Sequence, residues 1–221
     1  MKFEDEFDVA APLARVSRRA RMSEVCVILA AGRSRRMGAQ KLLLELGGRT
    51  LLERALAAAS AFPTVAVIAP DLAAEVPKRP ALTVVINDQP ERGMTRSLAL
   101  ADAAVPEPEV ALVVLLADTP LVDAALVRRI VEARGEADVA YPVRAGIGGR
   151  PVVFGPRPRA EIANLDEGDT LRLLRDDPRW HRVEVEIDDD APFLDVDTPE
   201  EFDRARELVA RLEPFDGKAR S

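Results

Sequence analysis

The 221-residue sequence contains one cysteine and one histidine, and this scarcity excludes several kinds of protein. Because Cys26 has no second cysteine to pair with, the chain has no disulfide framework, and its place in an apolar run predicts a small core residue. His181 lies next to the single tryptophan, Trp180, and is expected on the surface and not as a catalytic base. The sequence therefore does not indicate a Ser-His-Asp or Cys-His arrangement for nucleophilic catalysis.

Long apolar runs and a basic surface are also lacking. No apolar run approaches the roughly 20 residues of a membrane-spanning helix. The first eight residues, Met1 to Asp8, are too acidic for a signal peptide. The net charge of −7 argues against nonspecific binding to nucleic acid. We therefore expect a cytoplasmic protein that binds neither membrane nor nucleic acid.

The length and composition are typical of one globular domain, with 48% hydrophobic and 31% charged residues. Residues 1–22 change from acidic to basic without a sustained apolar stripe, which predicts a flexible leader. Residues 214–221 are predicted to form a disordered tail. A single domain is expected over residues 23–213.

Apolar runs alternate with helical patterns along this domain, and this alternation predicts an α/β fold with a mostly parallel sheet. Two capping boxes, Thr50–Glu53 and Thr198–Glu201, mark helix starts, the first of them opening a helix over 51–61. Further helices are predicted over 98–104, where Thr95 could provide the cap, and over 124–134. The apolar, β-rich runs cover residues 24–30, 64–69, 82–86, 110–117, 137–143, 150–154 and 182–188.

The loop after the first run carries the strongest functional signal. It combines Gly32 and Gly38 with several cations, including Arg36 and Lys41. Open α/β sheets bind ligands at the carboxyl ends of their strands, where glycine-rich backbone and basic side chains can hold phosphate. The spacing matches neither a Walker loop nor a dinucleotide-binding fingerprint. We expect a phosphate-rich ligand, with a plain solvated loop as the alternative.

Two acidic positions complement this loop. Asp118 ends the apolar run 110–117, and a carboxylate opposite a polyphosphate is a good Mg²⁺ ligand. The alternative is that Asp118 caps the turn at Pro120. Asp195 and Asp197 fall on the same side of an extended segment, although acidic residues before a helix also serve as plain caps.

The motif L-A-A-G-x-S-x-R-M-G-x-x-K over 29–41, together with L-x-D-x-P at Asp118 and D-x-D-T-P-E at 195–200, resembles the signature of the MobA/MocA-like nucleotidyltransferases. The resemblance covers about residues 24–210. It implies a Rossmann-like, three-layer nucleotidyltransferase fold and transfer of a nucleoside monophosphate from an NTP, with Mg²⁺ as cofactor and Mn²⁺ as a substitute. It implies catalytic roles for Arg36, Lys41 and Asp118, with Arg36 and Lys41 binding the β- and γ-phosphates. The metal ligands that it implies are Asp118 and Asp195. Asp197 is implied to orient the loop or the acceptor. The nucleotide-binding residues that it implies are Leu29, Ala30, Ala31, Gly32, Arg33, Ser34, Gly38, Lys41, Asp88 and Ser97.

The choice of substrates follows from finer points of the resemblance. Ala31 is similar to the cytidylyl branch, whereas the guanylyl branch typically has glycine there, so CTP is the expected NTP. The segment 149–154 resembles the G-x-P-V-x-F element near the acceptor, with Arg150 where histidine is common. The implied acceptor is a phosphorylated small molecule, namely molybdopterin or molybdenum cofactor, and a molybdoenzyme is the expected recipient. The alternatives are a sugar phosphate or another cofactor precursor as acceptor, and a non-catalytic protein that delivers a cofactor.

Overall fold

A computed structural model describes residues 23–32 and 40–212. The predicted leader and tail therefore lie outside the described residues. So do four of the predicted site residues, namely Arg33, Ser34, Arg36 and Gly38.

Strands and helices alternate along the described chain. The strands are β1 (Glu24–Ala30), β2 (Glu45–Leu46), β3 (Arg49–Thr50), β4 (Thr64–Ile68), β5 (Leu82–Ile86), β6 (Ala111–Leu116), β7 (Val139–Arg144), β8 (Ile147–Gly148), β9 (Val152–Phe154) and β10 (Arg182–Glu186). The α-helices are α1 (Leu51–Ala58), α2 (Met94–Ala103), α3 (Ala124–Arg134), α4 (Pro156–Ala160), α5 (Leu171–Asp176) and α6 (Pro199–Leu212). Short 3₁₀ helices cover Lys41–Leu43, Pro70–Glu75, Pro90–Arg92, Ile162–Asn164 and Ala191–Phe193.

The main sheet has eight strands in the order β10-β7-β9-β6-β1-β4-β5, with β8 paired to β7. The pairs β6–β1, β1–β4, β4–β5 and β7–β10 are parallel. Strand β9 runs antiparallel to both of its neighbours, β6 and β7. The prediction of a mostly parallel α/β sheet is confirmed, while the reversed strand β9 was not predicted.

Helices cover both faces of this sheet, which is why its central strands are apolar throughout. Cys26 and Ile28 of β1 pack into the core under α1, α3 and α6, and Val25 and Val27 pack into the core under α2 and α5. Cys26 is fully buried, and burial raises the pKa of its thiol to about 12. The predicted core role of Cys26 is therefore confirmed.

The helix starts test the capping predictions. Thr50 and Glu53 form the predicted reciprocal box at α1, which ends at Ala58 and is shorter than predicted. Thr198 and Glu201 form a second box at α6. The prediction that Thr95 caps the next helix was wrong. Helix α2 begins directly after Gly93, whose φ of +91° favours glycine, and Thr95 is buried inside the first turn.

Within residues 23–32 and 40–212, the structure contains no helix with the length and apolar character needed to cross a membrane.

Candidate functional site

The carboxyl ends of β1 and β6 lie side by side and bring the first loop next to Asp118. Leu29 pairs with Leu116 across the parallel ladder, and the Ala117 N–H donates to the Leu29 carbonyl at 3.2 Å. The chain leaves both strands at the same edge of the sheet. The structure thus brings Gly32 and Asp118 together, as the position of each after an apolar strand predicts.

A cavity of about 220 Å³ opens at this edge. It is lined by β1 and its loop, by the start of α2 and by the end of β6. Among the described residues, a Cβ added to Gly32 would meet no atom within 4 Å, so this part of the backbone leaves room beside the cavity. The lining residues are Leu29, Ala30, Ala31, Gly32, Lys41, Leu42, Pro90, Gly93, Met94, Ser97, Leu116, Ala117 and Asp118.

A second cavity, of about 690 Å³, lies between α1, α3 and α6. Although it is larger, none of the predicted site residues lines it. Its carboxylates include Asp123, which is occupied as the cap of α3 through a 2.7 Å bond from the Leu126 N–H. We therefore place the candidate active site at the smaller cavity, where the glycine loop and Asp118 meet.

Lys41 is the electrostatic centre of this site. Its Nζ donates to Asp118 Oδ2 at 3.0 Å, to Asp197 Oδ1 at 2.7 Å and to the Val196 carbonyl at 2.9 Å. Burial alone would lower the pKa of Lys41, but Asp118 and Asp197 together raise it above its ordinary value. The ammonium group therefore stays charged and holds the two carboxylates in place.

The segment 195–197 is fixed by the backbone of Asp118 and by the start of α6. The Val196 N–H donates to the Asp118 carbonyl at 2.8 Å. The N–H groups of Asp197 and Thr198 donate to Glu201 Oε2 at 2.8 and 2.9 Å. The acidic pair is thereby positioned from both sides, and Asp197 contacts Lys41 directly.

The carboxylates beside Lys41 have a donor set that fits a divalent cation. Asp118 Oδ1 is buried and has no hydrogen-bond partner among the described residues. Burial raises the pKa of Asp195 above its ordinary value, and the nearby negative charge of Asp118 raises it further. The positive charge of Arg150 offsets part of this shift. In the described part of the chain no group of three or more His, Cys, Asp or Glu side chains could hold a metal. Mg²⁺, however, commonly takes one or two carboxylates together with phosphate oxygens and water.

The α2 side of the cavity is ordered by a residue that the sequence analysis did not single out. Asn87 follows β5, is fully buried, and donates from Nδ2 to Ser97 Oγ at 2.9 Å. Ser97, which the resemblance implies as a nucleotide-binding residue, lines the cavity. Asp88, also predicted there, is exposed and does not contribute to the cavity wall. The position of Asn87 directly after an apolar strand was the signal that could have identified it.

Arg150 is the cation that follows β8 in the chain and acts electrostatically on the site carboxylates. It is partly buried, and this burial lowers the pKa of its guanidinium group. The negative charges of Asp195 and Asp118 act on the same pKa in the opposite direction. His181 is exposed, in agreement with the prediction of a surface residue. Arg175, which has no counterpart among the predicted site residues, is buried near Arg150.

Comparison with known proteins identifies the family. The chain is 29% identical over 187 residues to a molybdenum cofactor guanylyltransferase of Xanthomonas euvesicatoria pv. vesicatoria (strain 85-10), which covers 80% of this chain and 92% of that protein. It is 26% identical over 199 residues to the molybdenum cofactor cytidylyltransferase of Escherichia coli (strain K12), covering 85% and 97% of the two chains. The crystal structure of Rv0371c from Mycobacterium tuberculosis H37Rv in complex with manganese superposes with a TM-score of 0.71 at 27% identity, over 84% of this chain and 99% of that one.

The two curated relatives transfer different nucleotides, so the relationship alone does not determine the base. The family profile described as the MobA-like NTP transferase domain matches residues 26–183, which include most of β1, Lys41 and Asp118. The chain is therefore a nucleotidyltransferase and belongs to the MobA-like NTP transferase family.

Proposed function

We propose that this protein transfers CMP from CTP to molybdopterin and releases pyrophosphate, with Mg²⁺ as cofactor and Mn²⁺ as a substitute. The observation that carries the proposal is the position of Lys41, which lines the cavity beside Gly32 and is paired with Asp118 and Asp197. In this reaction, an oxygen of the acceptor's phosphate attacks the α-phosphorus of CTP. A new P–O bond forms as the bond to pyrophosphate breaks, and pyrophosphate leaves with the electron pair.

The geometry supplies what such a transfer requires, which is positioning and neutralisation of charge. The open backbone at Gly32 and the start of α2 face the cavity, where N–H groups can bind phosphate oxygens. Asp118 and Asp195 would hold the divalent cation, Asp118 through its unpartnered Oδ1. When bound, the cation would withdraw negative charge from the α-phosphate. A phosphate acceptor is already a nucleophile, so no general base is needed.

The role of Lys41 in this reaction has two parts. In the structure its ammonium group is bonded to two carboxylates and a carbonyl, which holds the Asp118 carboxylate in one orientation. Lys41 would hold Asp118 through Oδ2, while Oδ1 of the same carboxylate would be the ligand of a divalent cation. The positive charge of Lys41 would also stabilise the β- and γ-phosphates of the NTP.

Ala31 supports the choice of CTP. It is 3% exposed and lines the cavity beside Gly32. Its methyl group takes space that a glycine would leave free, which favours a pyrimidine over a larger purine. The M. tuberculosis neighbour described as a manganese complex supports a divalent cation in this fold.

The experiment is a pyrophosphate-release assay with each of the four NTPs and with molybdopterin or sugar phosphates as acceptors. We expect pyrophosphate with CTP and molybdopterin in the presence of Mg²⁺, and neither product nor pyrophosphate after chelation. Faster turnover with GTP would contradict the choice of base. Turnover with sugar phosphates only would contradict the choice of acceptor. No turnover with any pair would favour the non-catalytic delivery role.

A further inference from the structure

We propose that Arg150 and Arg175 form an anion subsite next to Asp118 and Asp195 that binds the phosphate monoester of the acceptor. The inference rests on the proposed function, because it concerns the second substrate of that reaction. We refer to these two arginines as the arginine pair.

Arg175 is held rigidly and has one donor left over. It is 7% exposed, and its Nε and Nη2 donate to the two carboxylate oxygens of Asp176 at 2.6 and 2.8 Å. Its guanidinium carbon lies 4.5 Å from the centre of the Tyr141 ring. The remaining nitrogen, Nη1, is buried and has no hydrogen-bond partner among the described residues. Because a buried donor without a partner is costly, this nitrogen is a good candidate for binding a ligand.

The backbone of Gly148 makes the position of Arg175 possible. A Cβ at Gly148 would lie 2.3 Å from Arg175 Nη1 and 2.8 Å from its Cζ. The guanidinium group therefore lies directly against the β8 backbone, in a space that any side chain at this position would fill. Arg150 follows two residues later in the same loop, which brings the second arginine to the same region.

Arg150 also has an unused donor. Its Nη1 donates to the Gly149 carbonyl at 3.2 Å, whereas its Nε is buried without a partner among the described residues. Burial lowers the pKa of Arg150, and the positive charge of Arg175 lowers it further, while Asp195 and Asp118 oppose the shift. The charge of Arg150 is thus felt by a second cation and by the two carboxylates of the active site.

This arrangement selects the chemical class of the ligand. Two guanidinium groups that repel each other are stabilised by an anion between them, and a phosphate monoester matches their planar donors. An anion held by Arg150 lies next to Asp118 and Asp195, where the α-phosphorus of the NTP is proposed to react. The arginine pair would therefore bring the acceptor's phosphate oxygen to that phosphorus and offset the repulsion between two phosphates.

The kinetic test compares Arg150→Gln and Arg175→Gln with the wild type, with Arg179→Gln as the matched control. Arg179 is an exposed arginine that pairs with Asp177 near the end of the same helical region. We expect the KM for molybdopterin to rise roughly 10- to 100-fold in both variants, since each loses a charged hydrogen bond. The KM for CTP should change less than about twofold, and the control should match the wild type. A rise in the KM for CTP in place of that for molybdopterin would overturn the proposal.

Gly148→Ala provides a second variant that keeps every charge. Its added methyl group must displace the guanidinium of Arg175, so the KM for molybdopterin should rise while the KM for CTP stays constant. An unchanged KM for molybdopterin in a folded Gly148→Ala protein would count against the subsite.

Binding of inorganic phosphate separates this inference from the proposed function. With CTP bound, phosphorus NMR titration should show phosphate binding to the wild type and to Arg179→Gln, and roughly tenfold weaker binding to Arg175→Gln. If phosphate binds in this way but molybdopterin is not a substrate, the choice of acceptor fails and the subsite stands. Equal binding by all three proteins, or transfer to molybdopterin that neither arginine variant impairs, overturns the subsite and leaves the proposed function intact.

Discussion

The Nζ of Lys41 lies 3.0 Å from Asp118 Oδ2, and this ion pair joins two segments that are 77 residues apart in the sequence. The same nitrogen contacts Asp197, 156 residues away. The Lys41 side chain thus connects Asp118, which follows β6, with Asp197, which precedes α6. The ion pair orders three separate parts of the chain around one cavity before any substrate binds.

Replacing Lys41 by methionine should reduce catalysis more than stability. The variant keeps much of the side-chain volume but leaves the carboxylates of Asp118 and Asp197 without their shared cation. We expect kcat to fall about 100-fold or more. The carboxylates are 29% and 49% exposed, so the free energy of unfolding should fall by only about 1–3 kcal/mol. Steady-state kinetics and urea unfolding measure the two effects. The exposed Lys78→Met serves as control, and wild-type kcat in Lys41→Met would remove Lys41 from the mechanism.

Replacing Ala31 by glycine should relax the choice of base. Removal of the methyl group enlarges the cavity where the base is proposed to lie, so the ratio of kcat/KM for CTP to that for GTP should fall about tenfold or more. Ala133→Gly is the matched control, because Ala133 is an exposed residue of α3 that does not line this cavity. Competition between the two nucleotides measures the ratio. An unchanged ratio in Ala31→Gly would show that this methyl group does not select the base.

Arg159 should contribute strongly to stability without a role in catalysis. Its side chain is 6% exposed and donates to Asp102 Oδ1 at 2.6 Å and to the carbonyls of Glu107 and Val110 at 2.6 and 2.8 Å. Arg159→Leu would leave these acceptors unpaired, so the free energy of unfolding should fall by about 3–5 kcal/mol. The exposed Arg206 provides the control variant Arg206→Leu, with an expected change of at most about 0.5 kcal/mol. Chemical unfolding measures the loss of stability in both variants. An equal loss in Arg159→Leu and Arg206→Leu would contradict the structural role of Arg159.

Asp176 should make stability depend on pH at the acidic end. Hydrogen bonds from Arg175 hold the pKa of Asp176 below its ordinary value of 3.8. A carboxyl whose pKa is lowered by folding stabilises the native state above its unfolded pKa, and this stabilisation disappears as the pH falls through the folded pKa. Asp176→Asn should therefore be less stable than the wild type at pH 7, by at most about 1 kcal/mol because the side chain is partly exposed. The free energies of unfolding of the wild type and of Asp176→Asn should converge as the pH falls below 3.8. A difference between the two proteins that stays constant with pH would refute the interpretation.

Much of the fold could be predicted because its signals are local. The apolar run at β1 and the periodic pattern of Ala124–Arg134 each reflect burial along a single element. Helix α3 begins and ends at the predicted residues, Ala124 and Arg134. The meeting of Gly32 and Asp118 followed from a general property of parallel sheets, since each comes after a buried strand.

Other features depend on contacts between distant segments and left no local signal. Strand β9 pairs antiparallel with both β6 and β7, and its three residues do not reveal these pairings. Helix α2 begins directly after Gly93, where the backbone turns with positive φ, and so Thr95 falls inside the first turn. The contact between the Arg175 side chain and Gly148, on which its proposed role rests, joins distant segments and has no local signal in the sequence.

The most direct test of nucleotidyl transfer at this site uses CTP labelled at its α-phosphate, with molybdopterin and saturating Mg²⁺. We predict that the wild type forms labelled product and pyrophosphate in equal amounts. Asp118→Asn should remain folded by circular dichroism and lose about 1,000-fold or more of this rate, while the exposed Asp203→Asn keeps it. Transfer by folded Asp118→Asn at the wild-type rate would contradict the central claim.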